Sequence, residues 1–183
     1  MNQSKDNVSI EDAKEQVRKV CSRLALLHIS FSKVLVEELG EDRGTDLILK
    51  AIKKYGTYVG EDAKKRAADR GLSNTPENYV GDLPSYGMHD IIERFSEDNE
   101  NRLRAHGCVM GKVWRELGEE KLGRYYCYVD PAKYMAFNPE YKLMHLKAMP
   151  DGDDCCEFAV RPTTEKEQHD FQAKDVDWKY IDR

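Results

Sequence analysis

The sequence predicts an α+β fold in which N-terminal helices pack on a small antiparallel sheet formed by the C-terminal half. Three observations predict it. Apolar residues recur at spacings of three and four through the first third of the chain. Two short alternating segments near the C-terminus flank the turn-rich stretch "PDGDD". No internal repeat indicates a stack of modules.

The elements follow in order. Ser9, with Asp12 in the first turn, marks a helix start. Val17, Val20, Leu24, Leu27, Phe31, Val34, Leu35 and Leu39 form an apolar stripe expected to face the core, and Gly40 ends it. His28 lies on or beside that stripe, where a buried, hydrogen-bonded histidine is the expectation. A second helix is expected from Asp42 or Thr45, with Leu47, Ile48, Ala51, Ile52 and Tyr55 inward. Gly56 and Gly60 are expected to kink or break it before it resumes towards Gly71. Residues 71–87 carry three glycines and two prolines and read as a loop covering a site. A short helix is expected over 89–97, an extended segment to Gly107, and a helix closed by Gly118. Residues 119–129 read as helical, with Pro131 opening a further turn. "PEYKLMHLKAM" and "CCEFAVRP" read as paired strands. Alternation puts Cys156, Phe158 and Val160 on the inner face and Cys155 outward. The tail is polar but holds Phe171, Trp178, Tyr180 and Ile181, so disorder and packing, on the domain or on a subunit partner, both stay open.

The totals narrow the function. A chain of 183 residues, 40% hydrophobic and 34% charged, suits one domain over 1–183. It divides into a mainly helical part over 1–98, a mixed part over 99–162 and a polar tail over 163–183. A net charge of −5 argues against a nucleic-acid partner, which calls for a basic surface. The longest apolar runs, such as 24–27, fall far short of the ~18 residues a membrane span needs. The polar, acidic N-terminus lacks the apolar core of a secretory signal, so a cytoplasmic location is expected. Five cysteines there are reduced thiols, and the odd count opposes a complete disulfide framework. A homo-oligomer is left open.

Unusual residues concentrate in the second half: Cys108, Trp114, Cys127, Asp130, Asn138, Asp153, Asp154 and Cys156. Their order is "GCVMGKVWRELG", then "YYCYVDPAKYMAFNPEY", then "GDDCCEF". This array resembles the L-2-amino-thiazoline-4-carboxylic acid hydrolase family over residues 100–161. The elements are Cys108 ahead of "ELG" at 116–118, Cys127-x-x-Asp130, "FNP" at 137–139, and Gly152-Asp153-x-x-Cys156-x-Phe158. Val109 departs from the proline common after the first cysteine. The last strand also resembles the closing motif of 4-vinyl-reductase-type small-molecule-binding domains.

The resemblance implies a hydrolase that opens a cyclic amidine-like acid, of the type 2-aminothiazoline-4-carboxylate to N-carbamoyl-cysteine, with no metal and no cofactor. Cys108, Cys127, Asp130, Asn138 and Cys156 are the candidate catalytic residues. His106, Trp114, Arg124, His145 and Asp154 are candidates for binding the small-molecule substrate. Such an opening needs a nucleophile, a proton donor and a clamp on the substrate carboxylate. Either a thiolate attacks, or a carboxylate activates water. Cys127 and Asp130, three apart, share a face if their segment is helical. Asn138 would serve developing negative charge. A thiolate needs a nearby cation or helix N-terminus; His106, His145 and Arg124 are the local cations. Asp153 and Asp154 oppose a thiolate at Cys156, which favours Cys108 or Cys127. The competing readings are a sensor domain binding a small molecule or zinc, through Cys108, Cys127, Cys156 and His145, and an interaction module with the cysteines in its core. No paired short Cys spacing supports zinc.

Overall fold

The computed structural model describes residues 7–80, 83–84 and 86–182. Two long helices, α1 (Ile10–Leu39) and α2 (Glu41–Asp69), form an antiparallel hairpin. Strands β1 (Ile91–Glu97) and β2 (Glu100–His106) follow, then α3 (Val109–Leu117), α4 (Glu120–Cys127) and α5 (Val129–Phe137). Strands β3 (Tyr141–Lys147) and β4 (Cys156–Pro162) precede the last helix, α6 (Glu165–Gln172). All pairings are antiparallel, in the order β1-β2-β4-β3. Helices first and sheet later is the α+β arrangement expected. No helix among the described residues is long and apolar enough to cross a membrane.

Local chemistry explains the ends. Ser9 caps α1 by accepting the Asp12 amide at 3.0 Å. Gly40 ends α1 with φ +79°, a value costly for other residues, and α2 starts directly after it. The expected break in α2 does not occur. Gly56 and Gly60 lie inside a continuous helix and are where α5 crosses it closely: a Cβ at Gly56 would sit 2.5 Å from that of Ala132. The helix expected over 89–97 is instead strand β1. Asp98 and Asn99, at φ 51° and 63°, form a two-residue turn that pairs it with β2. The helical stretch at 119–129 ends at Cys127, and α5 starts at Val129 with Pro131 in its first turn.

The expected core stripe of α1 is a third correction. The buried face holds Cys21, Ala25, His28, Ile29 and Ser32, while Val20, Leu27, Phe31 and Val34 are exposed. Small residues at 21, 25 and 32 let α1 lie close to its neighbours, and the bulkier side chains are turned outward. His28 is buried with Nε2 bonded to the Leu122 carbonyl at 2.9 Å, as expected for a structural histidine.

The sheet has two unlike faces. Alternation sets Ile92, Leu103, Cys156, Phe158, Leu143 and His145 on the inner face, towards the helices. The outer face carries an ion-pair network: Glu157 with Arg102 at 3.1 Å and Arg104 at 2.8 Å, and Glu100 with Arg161 at 2.5 Å. Cys155 lies on this outer side but is buried, 1% exposed, correcting the outward reading; Arg104, Lys147 and Asp154 surround it. The tail packs on the domain. Thr164 caps α6 in a capping box with Glu167, Lys142 bonds Glu167 at 2.5 Å, and Trp178 and Ile181 are buried.

The Glu100 carboxyl is held down to about 2, chiefly by its bond to Arg161 against the opposing cost of burial, with Arg102 adding to it. A carboxyl whose folded pKa is depressed stabilises the fold above its unfolded value of 4.5 and loses that contribution as pH falls towards about 2. Urea unfolding is therefore expected to show stability falling across this window. Glu100→Gln should be less stable at neutral pH and should flatten that part of the profile; an unchanged slope would count against the pairing.

Candidate functional site

Between the inner sheet face and the helices lies a cavity of about 820 Å³. That falls within the ~300–1,000 Å³ typical of small-molecule sites. Its sheet wall is apolar: Ile92, Leu103, Leu143, Phe158 and Val160. Val59, Met110, Trp114 and Val129 line it from the helices. Leu83 and Pro84 line it from the 71–87 loop; Gly81, Asp82 and Ser85 of that loop lie outside the described residues. At one end the lining turns polar, where Cys108, Cys127, Asp130, Lys133, His145 and Cys156 meet.

Each of these side chains has a structural reason for its place. Gly107, at φ +66°, turns the chain from β2 into α3, and a Cβ there would overlap the Asp90 carboxylate. Cys108 then occupies the N-cap of α3. Cys127 ends α4 and Asp130 lies in the first turn of α5, where a negative charge meets the positive end of the helix dipole. Lys133, one turn on, pairs with Asp130 at 2.7 Å. His145 projects inward from β3.

Behind the cavity the charges continue in a line. His145 Nδ1 lies 3.0 Å from Asp182 Oδ1, and its Nε2 is 3.6 Å from Asp130 Oδ2. Asp182 is fully buried; it also accepts the His145 backbone amide at 3.2 Å and an Arg124 bond at 2.6 Å. Arg124 reaches Asp151 at 2.9 Å. A carboxylate ion-paired to Arg124 has only lone pairs to offer, so Nδ1 carries the proton given to Asp182. This fixes the ring with Nε2 directed towards Asp130.

Burial disfavours ionisation of the three thiols. Burial pushes Cys127 well above the usual thiol range, against the pull of Arg124. Burial pushes Cys156 up to about 12, although the Met149 amide donates to its sulfur at 3.5 Å. Cys108 is also raised by burial, but the amides of Gly111 and Met110 at the start of α3 oppose the shift. Of the three, Cys108 has the helix N-terminus that favours a thiolate. Tyr126, buried against Tyr55, is likewise held protonated.

Six expected site residues line the cavity: Cys108, Cys127, Asp130, Cys156, His145 and Trp114. Trp114 is also core, with its indole N–H donating to the Ala25 carbonyl at 3.3 Å. Four do not line it. Asn138 ends α5 and ties the Asn74 carbonyl at 2.9 Å and the Glu140 amide at 2.9 Å. His106 sits on the outer sheet face, 3.3 Å from Glu93. Arg124 is buried behind the cavity, and Asp154 is solvent-exposed. Sequence reasoning missed Lys133, whose spacing from Asp130 was available as a helix-face signal, and Asp182, which nothing local marks. Among the described residues no group of three or more His, Cys, Asp or Glu side chains is arranged to hold a metal ion.

Comparison with known proteins bears on the fold and the family. A search of curated proteins finds no match. Among solved structures, the fold is similar to that in the crystal structure of the phenol-responsive sensory domain of the transcription activator PoxR with phenol. The TM-score is 0.51 and the identity 16%, over 86% of this chain and 82% of that one. At that identity the likeness is one of fold. The model of the L-2-amino-thiazoline-4-carboxylic acid hydrolase family matches residues 18–160, a span that includes most of the helical hairpin, most of the sheet and every cysteine of the cavity. The chain belongs to that family.

Proposed function

We propose that this protein hydrolyses a small cyclic amidine-like acid of the 2-aminothiazoline-4-carboxylate type. The observation that carries the reading is the polar end of the cavity, where Cys108 at a helix N-terminus shares the space with Asp130 and the oriented His145. Family membership supports the reaction class. In the proposed sequence Cys108 Sγ bonds to the ring carbon between nitrogen and sulfur while its proton passes to Asp130. The ring carbon–sulfur bond then breaks, and the departing sulfur takes up that proton. Water cleaves the resulting isothiourea adduct, returning the Cys108 thiol and releasing the carbamoyl product. Proton transfer during attack suits a thiol whose ionisation burial disfavours. Lys133 is the cavity's buried cation for a substrate carboxylate, in exchange for part of its hold on Asp130.

The test is turnover of 2-aminothiazoline-4-carboxylate, followed by release of free thiol from the opened ring. Cys108→Ser and Asp130→Asn are each expected to lose at least ~100-fold in kcat, the usual scale for an acid–base partner. Full activity of Cys108→Ser would remove the thiol route and leave water activated by Asp130.

A second reading is a small-molecule sensor. The largely apolar sheet wall favours it, as does the fold shared with a phenol-responsive sensory domain. Ligand-induced thermal stabilisation by heterocyclic acids or phenols, with no turnover, would select this reading over the first.

A further inference from the structure

The apolar stripe on α1 that the fold leaves uncovered has a second regularity. Val17, Val20, Leu24, Leu27, Phe31 and Val34 alternate spacings of three and four through the helix, the a/d pattern of a coiled-coil seam. Val17 and Leu24 are partly buried along one margin of the core. The others stand open: Val20 is 60% exposed, Leu27 53%, Phe31 64% and Val34 55%. Such a row of large apolar side chains on one face marks an interaction surface rather than scattered exposure.

The flanks of the seam identify the partner. On the core side, Cys21 and His28 are buried within the same chain and Leu35 is half-buried. On the open side lie Gln16, Arg23, Ser30 and Glu37, all exposed. A parallel partner would need the core-side positions for its flanking contacts, and these are occupied. An antiparallel copy pairs open-side positions with one another. With two copies crossing level with Ile29, Leu24 meets the partner's Val34 and Leu27 meets the partner's Phe31. The same alignment sets Arg23 opposite the partner's Glu37. Two-fold symmetry repeats each contact, so one surface is complementary to itself in both shape and charge. We infer that α1 is the interface of an antiparallel homodimer, built from this seam and lying outside the cavity.

Light scattering on the eluting 183-residue chain tests the inference. The wild type is expected at twice the 21.2 kDa chain mass at ~50 μM, a concentration at which micromolar affinities are saturated. Leu27→Glu combined with Phe31→Glu should give the single-chain mass with an unchanged circular-dichroism spectrum, since both side chains are exposed. A chain carrying Arg23→Cys and Glu37→Cys should form an interchain disulfide on mild oxidation, and neither single variant should. Fourteen helical residues separate these positions by about 21 Å, so a bond within one chain is excluded. A wild type at single-chain mass, or a doubly charged variant that stays dimeric, overturns the interface. Failure of the cysteine pair to link overturns the antiparallel alignment.

Discussion

Asp182→Ala is expected to destabilise the protein by about 3–5 kcal/mol, the range seen when one partner of a buried ion pair is removed. Asp182 has no solvent exposure, and Arg124 and His145 are buried beside it. Without the carboxylate, the Arg124 guanidinium keeps Asp151, which is partly exposed, and the face of the Tyr128 ring. Its Nη1 already lacks a hydrogen-bond partner among the described residues, so the loss falls on a group that is under-satisfied from the start. The His145 ring loses the acceptor that fixes its tautomer, and the backbone amide of His145 loses its bond to the same carboxylate. Asp182→Asn keeps the shape and one acceptor oxygen but not the charge, and should fall between the two. Urea unfolding at neutral pH measures all three proteins. A change for Asp182→Ala within about 0.5 kcal/mol, as for an ordinary surface substitution, would mean that the tail does not dock in this way in solution. The variant also bears on the proposed chemistry. If turnover falls further than stability explains, His145 acts through its orientation; if the two fall together, Asp182 is a structural clasp.

The helical hairpin is legible because its signals are local. Ser9, Gly40 and a long three-and-four periodicity mark α1 without reference to the rest of the chain. Which face of α1 is buried is a different matter. Burial depends on what packs against the helix, and here the small residues Cys21, Ala25 and Ser32 win the inward face from a bulkier stripe. Strand β1 is misread for a related reason. Ile91, Ile92 and Phe95 fit a helical face, whereas the decisive signal is the Asp98–Asn99 turn just beyond them. Alternation correctly separates Cys155 from Cys156, but it cannot say that both faces are covered. The cysteines of the cavity are legible as ordered motifs. Asn138, from the same motif array, serves the end of α5 instead. Asp182 is illegible because it meets His145 across 37 positions, and a lone acid in a polar tail carries no mark of its partner.

Gly60→Ala should destabilise the protein by about 1–3 kcal/mol, the usual cost of overpacking, even though alanine is the better helix former by ~1 kcal/mol. The reason is the α2–α5 crossing. A Cβ at Gly60 would overlap the Lys133 carbonyl oxygen and come within 2.7 Å of the Ala136 Cβ. The Lys133 carbonyl is backbone inside a helix, so it cannot rotate away and α5 has to move as a body. Asp130 and Lys133 ride on α5, so displacement reaches the polar end of the cavity. Gly111→Ala provides the contrast. There a Cβ meets nothing closer than 3.6 Å, an ordinary contact, and the change should be neutral or stabilising by up to ~1 kcal/mol. Thermal unfolding should therefore fall for Gly60→Ala and stay level or rise for Gly111→Ala, from the same chemical substitution. Equal stabilisation of both would mean that α5 lies further from α2 than these contacts require. The polar end would then lack the firm backing that holds Asp130 in register with His145.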